Sequence, residues 1–453
     1  MSVPVNGFQL PPGPRTPATG QFLEWVMRPW AVLDRCFARY GDVFTLRLAR
    51  VGTFVVVSDP ALIESVFRGD PRVFHAGEGN RVLRPLLGPR SLLLLDEDEH
   101  LRERKLLLPP FHGRALAALE SLIRDVCERH LAHWPVGQRV RIRPLAQALT
   151  LEVIARAVFG LSGRQAVDDA CVLLRRALAW AAERRRLFTF ALLGPQRVER
   201  SGILRGALAP VEALIREEVR RARADTRLEQ REDVLAMLVR ARREDGSALS
   251  DEELRDELVT LLVAGHETTA TALAWGLERL ARHPEVVERL RREVASGGHA
   301  YRDATVQEIL RLRPVIPLVV RLLKQPVALG PWSLPAGVVV APAIYLVHKR
   351  PDVYPEPMRF RPERFLERPP GTYTWLPFGG GVRRCIGASL AQLELALALA
   401  GIVQRFDITP GRPGDEARVR RAVTWAPAAD GEVVLAARSS PASTAAPSVA
   451  ATG

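Results

Sequence analysis

FGGGVRRCIG, residues 378–387, sets Cys385 behind three consecutive glycines and ahead of IGASLAQLELALALAGIVQRF, residues 386–406. The following run is rich in Ala and Leu and free of proline, a pattern that predicts a helix. Gly379, Gly380 and Gly381 open backbone conformations closed to other residues and let the chain approach a bulky group closely. A cysteine at a helix N-terminus meets free N–H groups and partial positive charge, and both favour thiolate over thiol. With Arg383 and Arg384 beside it, such a thiolate suits a soft metal ligand with anionic groups nearby. Two plainer readings compete at this level. A lone cysteine is often a small buried hydrophobe, and a glycine-rich turn before a helix can hold a phosphate.

Composition narrows the field. Of 453 residues, 47% are hydrophobic and 25% charged, values of a globular chain with a large core. Length alone allows two or three domains, yet no linker or internal repeat divides the sequence. Cys36, Cys127, Cys171 and Cys385 show no CxxC and no paired spacing, which argues against a disulfide framework or zinc site and for a reducing compartment. The net charge of +13 rests almost wholly on arginine, since Lys105, Lys324 and Lys349 are the only lysines. These arginines are spread along the chain, without the concentrated patch that nucleic-acid binding needs; an acidic protein partner uses such charge better. No apolar run approaches the roughly 20 residues of a membrane span, and the N-terminus lacks a signal-peptide core. The expected location is the cytoplasm. The final stretch, residues 437–453, is small, polar and proline-containing, and is expected to be a disordered tail.

Along the chain, residues 44–58 alternate and are β-branched, predicting a hairpin. From about Arg114 the pattern is helical for most of the next 170 residues. The longest helix is expected from about Asp251 to Arg282, with Ser250 and Glu253 as a capping box and Pro284 beyond its end; about 30 residues would span roughly 45 Å. Residues 321–347 return to short strands with turns at Gly330-Pro331 and Pro335-Ala336-Gly337, and an irregular proline-rich stretch runs from Arg350 to Pro377. The result is one mainly α domain, residues 1–436, with a small β region.

Inside the long helix lies AGHETT, residues 264–269. Glycine and paired threonines are poor helix interior, and the Thr268 hydroxyl can bond the carbonyl of Ala264 and open the local ladder. The segment reads either as a harmless kink or as an acid–alcohol pair, Glu267 and Thr268, able to relay protons; His266 reads as helix surface. Glu308 and Arg311 lie three apart on one helix face, a spacing common in solvated pairs. His100 and Arg104, in DEDEHLRERK, share a face one turn apart and read equally as an exposed charged helix end.

Phe378, Gly381, Arg383, Cys385 and Gly387 fill the spacing F-x-x-G-x-R-x-C-x-G, which resembles the haem-ligand loop of the cytochrome P-450 family. AGHETT resembles that family's A-G-x-E/D-T motif, and Glu308 with Arg311 its E-x-x-R. These motifs stand in the family's order, and the resemblance runs from about Leu10 to about Leu435. It implies the cytochrome P-450 fold, with a long central helix over haem b (iron protoporphyrin IX) and Cys385 as axial iron ligand. Pro377, Phe378, Gly379 and Gly387 are implied haem contacts, as are Ala264 and Gly265, expected to face haem and substrate. His100, Arg104, Arg321 and Arg383 are implied to hold the propionates, for which guanidinium groups are matched in geometry. Thr268 would hydrogen-bond the oxygen under activation and Glu267 feed it protons. Glu308, Arg311 and Arg364 would form a buried structural network. One departure stands out: the segment from Pro284 to Tyr301 is short and contains Gly297-Gly298, where a longer helix pair is usual.

The implied activity is insertion of one oxygen atom from O2 into a C–H bond of a lipophilic molecule: a fatty acid, terpenoid, steroid or macrolide-like compound. No flavin or nicotinamide segment remains once the haem domain is assigned, so NAD(P)H-derived electrons would arrive through a ferredoxin or flavodoxin with its reductase. A peroxide-driven peroxygenase or an isomerase is the alternative, although such relatives typically lose the pair that Glu267 and Thr268 preserve. A pocket is expected from residues 76–94, with Leu93 and Leu94, from residues 185–205, from Ala264, Val315, Ile316 and Val319, and from Trp425.

Overall fold

The computed structural model describes residues 4–5, 7–181 and 195–438. Alternating β-branched residues pair as a hairpin, β1 (Val43–Leu48) and β2 (Gly52–Val57). They belong to a five-stranded sheet completed by β3 (Phe74–His75), β4 (Arg321–Leu323) and β5 (Val339–Pro342), in the order β1-β2-β5-β4-β3. β5 runs parallel to β2, with Val339 opposite Phe54; the other pairings are antiparallel. The expected strand region from 321 to 347 holds four short strands, but Ile344–Val347 closes it as a helical turn.

Three smaller sheets of four, three and two strands accompany the five-stranded one among the described residues, and most of the remainder is helical: α1 (Glu97–Leu107), α2 (Gly113–Leu131), α3 (Ile142–Ala157), α4 (Asp251–Leu280), α5 (Ala300–Leu312) and α6 (Ala388–Arg405) are those that frame the site. The Ser250–Glu253 capping box starts α4, with reciprocal side-chain and backbone bonds. α4 is buried nearly all round, as a helix through the middle of a large core must be. Leu273 and Leu277 of α4, Leu149 and Val153 of α3, Ile123 of α2 and Leu399 of α6 share one core cluster. The short segment after Pro284 forms a 12-residue helix, Pro284–Ala295, and turns at Gly297 (φ +77°) straight into α5.

Glu308 and Arg311 of α5 are wholly buried and joined twice, at 2.7 and 2.9 Å. Glu308 also accepts the Arg361 backbone N–H at 2.8 Å and Arg364 Nε at 3.2 Å. Arg311 donates onward to the carbonyls of His348 and Pro357, each at 2.8 Å. One carboxylate therefore ties α5 to the irregular stretch that leads to Cys385. Two arginines would be stranded without it, and breaking a buried pair from one side costs about 3–5 kcal/mol. Glu308→Ala should lower the melting temperature by several degrees and yield protein with little haem, read from thermal melts and the haem-to-protein absorbance ratio.

Candidate functional site

Cys385 lies three residues before α6 begins, with Gly387 as the cap. Its N–H donates to the Phe378 carbonyl at 3.0 Å, closing the loop on itself. Gly379 and Gly381 both take positive φ, +67° and +65°. A Cβ on Gly381 would stand 2.2 Å from the Phe67 carbonyl, and one on Gly380 would stand 2.4 Å from the Phe67 ring. The loop is glycine because the end of the helix Pro60–Arg68 presses against it. Leu376, just ahead of Pro377 and Phe378, donates its N–H to His348 Nε2 at 2.9 Å, so His348 Nδ1 must donate, to the Arg311 carbonyl at 3.0 Å.

Cys385 is an exposed residue, although protein atoms pack closely enough around its thiol to desolvate it. Burial pushes its thiol up; the Gly387 N–H, Arg104 and Arg384 pull the other way. Helix end and arginines alone were expected to favour the anion, but desolvation outweighs them. A bound metal ion would supply the missing positive charge, since a coordinating thiol is deprotonated outright.

Above the loop, cations outnumber carboxylates. Arg321 is buried and its side chain donates to the Val320 carbonyl at 2.8 Å, with Phe67 beneath its guanidinium. Burial, and then Arg383, lower it to about 10. His100, also buried, is lowered to about 3 by burial and by Arg383, Arg104 and Arg321. Asp96 is the carboxylate within this group: it binds Arg383 Nη2 at 2.5 Å and caps the Gly77 and Glu78 N–H groups at 2.8 Å each. Arg383 is thus bound to Asp96 and to the carbonyls of Leu92, at 3.2 Å, and Leu95. Neutral His100 with Arg104, Arg321 and Arg383 matches a ligand bearing two carboxylates, and the exposed cysteine matches its metal. The residues present fit an iron porphyrin.

On the cleft's other wall, Ala264 is exposed midway along α4, although Leu262 and His266 flanking it are buried. Thr268 Oγ1 donates to the Ala264 carbonyl at 2.7 Å. Gly265 has a packing reason: its Cβ would come within 3.2 Å of Ile154 Cδ1 on α3. Glu267 points at α3, where Gln147 Nε2 and Arg143 Nη1 bind it at 2.5 and 3.2 Å. The loop of residues 88–92 is pinned to α4: Arg90 N–H to Asp256 at 2.9 Å, Leu92 N–H to Glu257 at 2.6 Å and Thr260 to Ser91 at 2.7 Å.

Three expectations need correction. His266 is not helix surface. It is buried beside Thr150, whose hydroxyl lies 3.0 Å from Nδ1, and burial lowers it to about 4. Trp425 does not line a pocket. It is 2% exposed, packs edge-on against Trp30 and Tyr345, and accepts Trp275 Nε1 at 3.1 Å. Val315 is likewise core, tied to Trp425 through its carbonyl. Ile316 and Val319 are partly buried, and Leu93 and Leu94 remain partly open. Of residues 185–205, those up to 194 lie outside the described residues. Arg143, Gln147, Asp96 and His348 escaped the sequence reading: each acts on a residue at least 28 positions distant, with the exception of the helix-capping bonds of Asp96.

The cytochrome P450 family model matches residues 10–426. Cytochrome P450 135B1 of Mycobacterium tuberculosis is 42% identical over 416 residues, covering 89% of this chain and 87% of its own. Cytochrome P450 138 of the same organism is 38% identical, covering 95% and 97%. Among solved structures, retinoic acid-bound cyanobacterial CYP120A1 superposes with TM-score 0.82 at 26% identity, covering 95% of this chain and all of the other. The haem domain of cytochrome P450DA gives 0.82 at 25% identity, covering 95% and 98%. The chain belongs to the cytochrome P450 family and is a haem-thiolate monooxygenase.

Burial and the nearby Arg311 charge lower His348 to about 3 in the folded protein. An unfolded chain takes up that proton near pH 6.5. The unfolded state therefore binds more protons, and stability falls as pH drops from about 6.5 toward 3, by up to about 1.4 kcal/mol per unit for this one group. Melts of His348→Gln should show a shallower acid slope than the parent over that window, alongside a lower melting temperature at pH 7 from the lost Leu376 bond.

Proposed function

We propose that Cys385 is the axial ligand of haem b and that His100, Arg104, Arg321 and Arg383 receive its propionates, Arg383 being shared with Asp96. Pro377, Phe378, Gly379 and Gly387 would contact the macrocycle, with Ala264 opposite and Gly265 letting α4 lie close to α3. When bound, the haem supplies dioxygen binding and the oxidising power to attack an unactivated C–H bond. The overall reaction balances as substrate, O2, two electrons and two protons giving alcohol and water. Thr268 holds a hydroxyl toward the cleft, and Glu267, next in the chain, supplies protons from the α3 side. The observation that carries this reading is the surplus of buried cationic and donor groups, with one carboxylate among them, near an exposed cysteine.

The substrate is a lipophilic molecule. Leu93, Leu94, Ala264, Ile316 and Val319 offer an apolar lining, with no carboxylate among them. The structural relative bound to retinoic acid supports an extended isoprenoid or fatty acid over a sugar or nucleotide. Electrons from NAD(P)H would come through a ferredoxin or flavodoxin with its reductase, drawn by the positive charge of the chain. Among the described residues no helix is long and apolar enough to cross a membrane, in keeping with a cytoplasmic enzyme. Residues 1–436 form the haem domain in this reading. The expected disorder of residues 437–453 concerns positions almost all outside the described residues.

Spectral titration of the haem-loaded protein against a lipophilic library should identify ligands that shift the haem absorbance. With one of them, ferredoxin, reductase and NADPH should support turnover, and Thr268→Ala should divert electrons to hydrogen peroxide while keeping haem and ligand affinity. Equal coupling in that variant contradicts the role of Thr268. Turnover with peroxide alone, and none with the redox proteins, favours the peroxygenase alternative.

A further inference from the structure

One imidazole and three carboxylates gather where the two ends of a chain excursion meet. His75 ends β3, Glu78 lies in the helical turn Ala76–Gly79, Asp96 caps α1 and Glu97 begins it. Residues 79–95, with Leu93 and Leu94, run between these ends. Asp96 Oδ1 accepts the Gly77 N–H and Oδ2 the Glu78 N–H, each at 2.8 Å. A Cβ on Gly77 would stand 2.7 Å from Asp96 Oδ2, so glycine is what lets the carboxylate close on the turn. His75 Nδ1 lies 2.9 Å from Glu78 Oε1 and 3.5 Å from Asp96 Oδ2, and no two of these three atoms are more than 4.8 Å apart. Tetrahedral ligands at about 2.1 Å from one ion stand about 3.4 Å from each other, so an ion fits among them after small side-chain rotations. His75 is 5% exposed, and its Nε2 makes no hydrogen bond although Glu97 Oε1 stands 2.9 Å away. A ligating histidine almost always donates its second ring N–H to a carboxylate. A metal on Nδ1 leaves the proton on Nε2 and turns this misaligned approach into such a pair. Two cations offset the three carboxylates: Arg383 on Asp96 Oδ1 at 2.5 Å and Lys324 on Glu78 Oε1 at 2.7 Å. With the ring neutral, one negative charge is left over. The Lys324 and Glu78 side chains are 41% and 43% exposed, so the ammonium can swing into water and leave its oxygen to an ion.

We propose that His75 Nδ1, Glu78 Oε1 and Asp96 Oδ2 bind a divalent transition-metal ion of the zinc class, apart from Cys385, and that this ion clasps the two ends of the 79–95 excursion. Imidazole with carboxylate suits such an ion. Magnesium, which demands near-octahedral oxygen and gives up its waters reluctantly, is disfavoured. Three protein ligands leave one position to water. The cysteine spacing that argues against a thiolate zinc site does not bear on this one, which contains no sulfur. Lys324 is the competitor: it sits on the Glu78 oxygen that the ion needs. Removing its charge therefore tightens metal binding, whereas removing a ligand weakens it. A cluster that served only as ion pairs would lose stability in every variant and gain none from the metal.

The test is calorimetric titration of chelator-treated, haem-loaded full-length protein with zinc chloride. The parent should bind one zinc ion with micromolar affinity or better, and excess magnesium should not displace it. His75→Gln and Glu78→Ala should each weaken that binding by about tenfold or more, and Lys324→Met should tighten it several-fold. Hydrogen–deuterium exchange of residues 79–95 should slow when zinc is added to the parent and stay unchanged in His75→Gln. Absence of zinc binding in the parent, magnesium bound as tightly as zinc, an affinity unchanged in Glu78→Ala, or one weakened in Lys324→Met overturns the site. Zinc bound with no slowing of residues 79–95 overturns the clasp. If His75→Gln does not fold, Glu78→Ala and Lys324→Met, both altered at partly exposed side chains, decide, with Glu78→Ala as the exchange control.

Discussion

A desolvated thiol on an exposed cysteine, near three arginines and a buried histidine with Asp96 as the carboxylate that pairs with Arg383, is the constraint from which the rest of this molecule follows. Desolvation raises the Cys385 thiol and lowers the Arg321 and Arg383 cations. Each group is thus held in its less favourable form, and Asp96 compensates only part of the positive charge. One ligand with a metal cation for the sulfur and two carboxylates for the arginines would relieve both imbalances at once, as proposed for the haem.

The shape of the cleft is kept by contacts remote from the chemistry. Glu308 binds two arginines and a backbone N–H, Arg311 passes the connection to the His348 carbonyl, and His348 passes it to Leu376, immediately before Pro377 and Phe378. From the other side Phe67 fills the space that glycines leave at positions 380 and 381. The cysteine loop is thereby clamped between the proline-rich stretch and a helix of the sheet region. α4 packs against α3 and α6 in one core cluster.

Much of this was legible in the sequence where the signal is local. The hairpin, the capped central helix, the helix after Cys385 and the Thr268–Ala264 bond depend on residues a few positions apart, and spacing reports them. The buried Glu308 network was readable only through resemblance, since a charged pair three residues apart looks the same on a solvated helix. His266 misled because a histidine between glycine and glutamate carries a polar signature, whereas α4 is covered on nearly every face and Thr150 satisfies the ring. Trp425 misled for a related reason: position along the chain suggested the cleft, but two aromatic neighbours and Trp275 enclose it. Arg143 and Gln147 left no trace, because the acids they meet lie 120 to 287 residues away.

The most direct test of the proposed bond between the Cys385 sulfur and haem iron is the absorbance difference between the reduced protein with and without carbon monoxide. A maximum near the position set by thiolate ligation, lost together with haem retention in Cys385→Ala, is the expected result. A band typical of imidazole ligation, or a Cys385→Ala protein that holds haem like the parent, would contradict it.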